Sequence, residues 1–266
     1  MKVPSEDLPW IGTSWKMNLT LDDARNFATA LRAHLNAKRP QAHVFVVPAF
    51  TALASVCDVL DGSPVMVGAQ NVHWEDAGAF TGEVSCPMVA DCGAKIVEIG
   101  HSERRAYFGE TDTTVNLKVR AALRNGLRPL VCVGESSDER RCGAAYDSVC
   151  RQIAFAFDGL SAEQAAGCIL AYEPVWAIGE GATPASPDDA NNMLGAVRAR
   201  LGQRFGAETG WRTRLLYGGS INAGNALGLL HGKNVDGLFI GRAAWSCERF
   251  IEILNLVEEQ YVKAVQ

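Results

Sequence analysis

Ala171-Tyr172-Glu173-Pro174-Val175-Trp176-Ala177-Ile178-Gly179-Glu180-Gly181 packs a strand end, an acid and a glycine-tipped loop into one stretch. The apolar run Cys168 to Tyr172 reads as a buried strand, and Pro174 stops it from continuing into a helix. Glu173 is therefore an acid at a strand's C-terminal end, followed by a segment, 174–184, with the bulk and the Gly hinges of a lid. Comparable apolar runs recur on both sides: Trp10 to Trp15, Val44 to Val47, Met66 to Gln70, Ile96 to Ile99, Pro129 to Val133, Arg214 to Tyr217 and Leu238 to Ile240. Helical patterns separate them, among them Leu21 to Leu35, Thr113 to Asn125, Asp188 to Phe205 and Ala223 to Leu230, several preceded by Asp, Ser or Thr caps. Strands apolar on both faces and alternating with helices pair in parallel, because each needs cover on two sides and a crossover to its neighbour. No G-x-G-x-x-G follows an early strand, so the open doubly wound sheet is disfavoured, and eight units predict a single α/β domain over 1–266, a closed (β/α)8 barrel.

The 266 residues suit that architecture, which typically takes about 250. A hydrophobic share of 48% and a charged share of 21% exclude disorder and a membrane protein. The net charge of −5, without a basic run or basic and aromatic residues interleaved, excludes a nucleic-acid partner. Eight cysteines are scattered with no C-x-x-C and no zinc-like spacing, so they read as reduced core residues, and neither a metal nor another cofactor is expected. Met1 to Pro9 carries acids and two prolines where a signal peptide needs an apolar core, which points to the cytoplasm.

In such a barrel the chemistry sits just after the strands. Those positions hold Lys16, His101-Ser102-Glu103, Glu173, Gly218-Gly219-Ser220 and Gly241-Arg242. Lys16 is a fixed cation for an anion or a developing negative charge. His101 stands where a helix begins, and the positive end of the dipole disfavours its cation, leaving a neutral imidazole able to polarise a carbonyl. His34, His43 and His231 lie in helix or loop contexts and read as structural. The glycines after the last two strands, with Gly179 from the lid, form a cup for a phosphate. The long connection 71–85, carrying His73, Trp74, Phe80 and Thr81, reads as a docking element.

Ser14-Trp15-Lys16-Met17-Asn18, Gly100-His101-Ser102-Glu103-Arg104-Arg105, the 171–179 stretch and Tyr217-Gly218-Gly219-Ser220 resemble the signatures of the triosephosphate isomerase family, as do Cys132 to Glu135 and Gly78 to Glu83. The resemblance runs from Trp10 to Gln266. It implies a TIM barrel with Glu173 as the base that moves a proton between carbons, His101 as the electrophile and Lys16 as the stabilising cation. This enzyme is a worked case of a Glu base beside a neutral His, so those roles are inherited from the resemblance. It further implies a homodimer held by the 71–85 loop, with Thr81 at its tip, a sugar phosphate as substrate, and supporting roles for Ser102 and Glu103.

Four positions depart from that pattern: Ser14 in place of Asn, Glu180 in place of Thr, Ala182 in place of Lys and Arg242 in place of Gly. Ser14 vacates volume beside Lys16 that an extra hydroxymethyl would fill. The substrate- and phosphate-binding set then comprises Ser14, Gly179, Ser220, Gly241 and Arg242. With Gly68 to Trp74 and Leu238 to Trp245, these departures resemble a sister branch that interconverts L-erythrulose 1-phosphate and D-erythrulose 4-phosphate. The alternatives are ordinary triose-phosphate isomerisation and a catalytically silent phosphate-binding barrel. Charge complementarity suggests a pairing of Glu180 with Arg242 on lid closure.

Overall fold

A computed structural model describes residues 8–38, 40–179 and 183–265, with side chains through residue 260. Its strands are β1 (Trp10–Ser14), β2 (His43–Val47), β3 (Val65–Ala69), β4 (Ile96–Ile99), β5 (Arg128–Val133), β6 (Ile169–Tyr172), β7 (Arg214–Tyr217) and β8 (Gly237–Ile240). They pair in parallel in chain order, and β8 closes on β1 with Trp10 opposite Gly237 and Thr13 opposite Ile240. The predicted barrel is the observed one, with strand bounds within one residue of expectation. Trp15 leaves the ladder's ends and buries its ring against Phe27, 4.8 Å away between centroids.

The helices are α1 (Leu21–Ala37), α2 (Phe50–Leu60), α3 (Cys86–Asp91), α4 (Ser102–Tyr107), α5 (Asp112–Arg124), α6 (Ser137–Arg141), α7 (Ala145–Ala156), α8 (Ala162–Gly167), α9 (Pro187–Phe205), α10 (Ala207–Arg212), α11 (Ala226–Leu230) and α12 (Cys247–Val265). Thr20, Thr111, Ser136, Ser161 and Ser186 close capping boxes at the starts of α1, α5, α6, α8 and α9, each contributing about 1 kcal/mol. The helix expected from Ala223 starts three residues later. Asn222 and Asn225 instead tie off a turn, their side-chain oxygens accepting from Gly224 N and Asn222 N at 2.9 and 2.8 Å. Asn side chains compete with the helix ladder for backbone donors in this way.

The strand alternation divides the core in two. Trp10, Phe45, Ile96, Leu130, Ile169, Leu216 and Phe239 point into the lumen. Ile11, Val46, Val97, Val131, Leu170, Leu215 and Leu238 point outward under the helices. All eight cysteines are free, with Cys86, Cys132, Cys168 and Cys247 buried. Among the described residues no helix is long and apolar enough to cross a membrane.

The 71–85 loop is ordered by its root. Lys118 Nζ donates to Asn71 Oδ1 at 2.8 Å and pairs with Glu110 at 3.1 Å, while Arg124 and Asn125 hold Asp76 at 2.9 Å. Of the loop's aromatics, His73 is buried and Trp74 half-buried, the two rings stacked on each other. Only Phe80 is exposed, its ring 4.3 Å from that of His73, and Thr81 is exposed beside it.

Candidate active site

Every site residue predicted on a strand end lies on one rim, and most surround a cavity of about 400 Å³, a size usual for small-molecule sites. Ser14, Lys16, His101, Glu103, Glu173, Gly179, Ser220, Gly241 and Arg242 line it. Ser102 opens α4 and borders a neighbouring cavity instead. Glu180, Gly181 and Ala182 lie outside the described residues, and with them the suggested pairing of Glu180 with Arg242.

Glu173 follows β6 and is 3% exposed. Its backbone N–H is held by Val133 O at 2.8 Å, and Gly218 N donates to Tyr172 O at 2.8 Å. A Cβ on Gly218 would come 2.9 Å from Glu173 Cγ, so glycine is required there for the acid to take its place. Glu173 Oε1 lies 3.4 Å from His101 Nε2, and Oε2 is buried with no hydrogen-bond partner among the described residues.

His101 caps α4, and its Nδ1 accepts the Glu103 N–H at 3.1 Å. An accepting Nδ1 carries no proton, so the imidazole is the neutral tautomer with its hydrogen on Nε2, facing Glu173. The expected neutral histidine is present, but α4 has only six residues, and one direct hydrogen bond achieves what the sequence reading credited to a helix dipole. The backbone at His101 is fixed from both sides of the preceding residue. Gly100 N donates to buried Glu110 at 3.0 Å, and Arg105 Nε donates to Gly100 O at 2.8 Å.

Lys16 sits in the left-handed region at φ 53°, a strained conformation for a side-chain-bearing residue. The Gln70 amide braces it by donating to Lys16 O at 2.9 Å, and Lys16 Nζ meets Glu103 Oε1 at 2.7 Å. Burial works to lower the ammonium's pKa, but the bond to Glu103 and the charges of Glu173 and Glu98 outweigh it and hold the pKa above its ordinary value. Lys16 is thus a cation throughout the physiological range.

Three groups were given no role in the sequence reading. Glu98 of β4 turns into the lumen on the same face as Ile96 and is 2% exposed. It accepts the Ser14 hydroxyl at 2.8 Å, and its Oε1 lies 3.9 Å from His101 Nε2. Burial pushes its carboxyl up to about 7 against the pull of neighbouring His101, with the Glu173 charge adding to the rise and Ser14 and Lys16 opposing it. Its signal was an acid inside a four-residue strand otherwise apolar on both faces. Glu98, Cys132 and Glu173 bring one ligand atom each within 4.8 Å of one another. Burial, then the charges of Glu173 and Glu98, raise the Cys132 thiol well above its ordinary value.

The second group is Glu135, fully buried, which accepts from Tyr172 Oη at 3.0 Å and from Trp176 Nε1 at 2.7 Å. It fastens the first hinge of the lid, where Val175–Ala177 forms a 3₁₀ turn. Arg140 stacks over the Trp176 ring, 3.8 Å from its centroid, with its guanidinium 4.0 Å from Glu135 Oε1. The third is Arg249 of α12, a second cation beside Arg242 on the cavity wall. Ser220 donates its hydroxyl to Ala177 O of the lid at 2.7 Å, so its backbone N–H is the donor left for an anion.

The cavity thus sets a carboxylate against a neutral imidazole N–H, flanks both with a cation, and ends in glycine backbone and two arginines. Such an arrangement can take a proton from carbon beside a polarised carbonyl while holding an anionic tail.

The family model for triosephosphate isomerase matches residues 9–257. L-erythrulose-1-phosphate isomerase of Brucella abortus biovar 1 (strain 9-941) is 50% identical over 246 residues, 92% of this chain and 94% of that protein. Its counterpart in Mycolicibacterium smegmatis is 48% identical over 249 residues, covering 93% and 92%. The crystal structure of triosephosphate isomerase from Bartonella henselae superimposes with a TM-score of 0.84 at 35% identity, covering 94% of this chain and 98% of that one.

Proposed function

Because the chain belongs to the triosephosphate isomerase family, and is an isomerase, we propose that it interconverts L-erythrulose 1-phosphate and D-erythrulose 4-phosphate through an enediolate. The observation that carries the chemistry is His101, with Nδ1 occupied by Glu103 N and Nε2–H facing Glu173. The relatives of about 50% identity support the choice of substrate. Glu173 takes the proton from the carbon next to the ketone and returns it to the former carbonyl carbon. His101 Nε2–H stabilises the carbonyl oxygen as negative charge grows on it, and relays a proton between the two oxygens. Lys16 neutralises the enediolate and is oriented by Glu103. One proton leaves one carbon and one proton is delivered to its neighbour, and the oxidation of the first carbon is matched by the reduction of the second, so the reaction needs no external electrons.

Backbone N–H groups at Gly179, Ser220 and Gly241, with Arg242, hold the phosphate. The 174–184 lid closes over it from the hinge that Glu135 fixes, excluding the water that would let the enediolate expel phosphate. Ser102 supports His101 as the first residue of α4. We place the single 1–266 domain in the cytoplasm as a homodimer joined through residues 71–85, with Thr81 at the tip. Met17, Phe80, Met88, Tyr107 and Phe108 are 95%, 44%, 55%, 77% and 67% exposed, an apolar set that a second subunit would cover.

Purified enzyme assayed with L-erythrulose 1-phosphate and with glyceraldehyde 3-phosphate tests the reading. The expected outcome is a higher kcat/KM for the four-carbon substrate. A higher value for the triose phosphate would replace this assignment with triose-phosphate isomerisation, and tight sugar-phosphate binding with no turnover of either would leave a silent binding barrel.

A further inference from the structure

We propose that Ser14, oriented by Glu98, is the acceptor that recognises the terminal hydroxymethyl of the four-carbon substrate and so sets its preference over the three-carbon one. This rests on the isomerase reading above and extends it to substrate choice.

The hydrogen bond from Ser14 to Glu98 spans the lumen from β1 to β4 at 2.8 Å, with both residues buried. It therefore forms a floor close to the reacting groups: Glu98 lies 3.9 Å from His101 Nε2 and within 4.8 Å of the Glu173 carboxylate. The Ser14 backbone is held too, its carbonyl accepting from Trp245 Nε1 at 3.1 Å. A serine hydroxyl has one proton and two lone pairs. While Glu98 is ionised it takes the Ser14 proton, and the oxygen turned to the cavity can then only accept.

The four-carbon substrate differs from the three-carbon one by a CH2OH on the carbon that Glu173 deprotonates, so the extra hydroxyl sits within two bonds of the reacting centre. It needs an acceptor there. The other polar groups lining the cavity are already engaged: Glu103 with Lys16, Ser220 with Ala177 O, Trp245 with Ser14 O, and Glu173 and His101 with the proton transfer itself. Lys16, Arg242 and Arg249 are donors only. Among the described residues, Ser14 Oγ is the lining hydroxyl whose proton goes to a carboxylate beside His101 and Glu173, leaving its lone pairs next to the reacting groups; Ser220 Oγ also keeps lone pairs, but its proton goes to Ala177 O of the lid, and Glu103 is bound to Lys16. An amide side chain at this position would fill the same space and close it to a hydroxymethyl.

The test crosses variants with substrates. Ser14→Ala should lose about 100-fold in kcat/KM on L-erythrulose 1-phosphate, a lost hydrogen bond at the reacting centre, and stay within about threefold on glyceraldehyde 3-phosphate. Ser14→Asn should lower the four-carbon activity at least as far. Glu98→Leu frees the Ser14 proton and should mimic Ser14→Ala in the ratio of the two substrates. Glu98→Gln keeps an acceptor for Ser14 and should restore most of that ratio, which a purely structural role would not. In wild-type enzyme, an analogue with methyl in place of hydroxymethyl should lose about the same 100-fold and lose nothing further in Ser14→Ala. Equal losses on both natural substrates in Ser14→Ala, or full turnover of the methyl analogue by wild type, would overturn the inference. The wild-type substrate ratio tests the four-carbon assignment and the variant-by-substrate cross tests Ser14, so the two can fail separately.

Discussion

The cavity has two unlike walls. On one, Ser14, Lys16, His101, Glu103 and Glu173 interlock through side chains, with Glu98 bonded to Ser14 beneath them. On the other, Gly179, Gly218, Gly219 and Gly241 present little but backbone. The first wall keeps Glu98 and Glu173 out of water, and it works because each acid has a partner or a task. The second needs nothing beyond N–H groups that the chain already possesses. The lesson is that the walls are vulnerable in opposite ways: one to removing atoms, the other to adding them.

The largest expected effect removes a charge from the first wall. Glu173→Gln should lower kcat by on the order of 10³- to 10⁴-fold with KM nearly unchanged. A loss of tenfold or less in steady-state assays would mean that the base is elsewhere and that the first wall is not defined by this acid.

Next comes an addition to the second wall. Gly218→Ala places a methyl 2.9 Å from Glu173 Cγ and should cost about 100-fold in kcat by displacing the base. If KM rises instead and kcat holds, Gly218 serves the phosphate alone and the two walls are independent.

The smallest effect concerns stability. Glu98 has a folded-state pKa raised from 4.5 to about 7, so its ionised form is disfavoured by folding. Wild-type stability from this group is therefore full below about pH 4.5 and is lost as pH rises through 7. Glu98→Gln has no such loss, so its unfolding free energy should rise relative to that of wild type by on the order of 3 kcal/mol as pH goes from 5 to 8, and its Tm should rise with it. Parallel melting curves across that range would show that Glu98, despite facing His101, Glu173, Lys16 and Cys132, carries no burial penalty, and the first wall would be less costly than described.

The eight strands were legible because each is a short apolar run between helical stretches, and Lys16, His101 and Glu173 because each directly follows one. Glu98 was hidden for the converse reason: it lies within a strand, where an acid has no pattern of its own and only the lumen reveals its neighbours. Glu135 was visible in a motif, but its grip on Trp176 joins residues that no local spacing relates. Ser220 was assigned by residue type, and only coordinates show its hydroxyl turned to the lid. The start of α11 was missed because the Asn222 and Asn225 side chains complete backbone bonds that apolar periodicity does not register.

Lys16 ends the comparison with an opposition at a single position. Its left-handed backbone, at φ 53°, is one that glycine or asparagine adopts at little cost, whereas lysine bears a strain of about 1–3 kcal/mol. A population of variants selected only for heat resistance would drift toward Gly or Asn at residue 16, and each such winner would lack the ammonium. Selection for turnover would hold Lys16 in place against that drift, and the frequency of lysine there would report which pressure a lineage had been under.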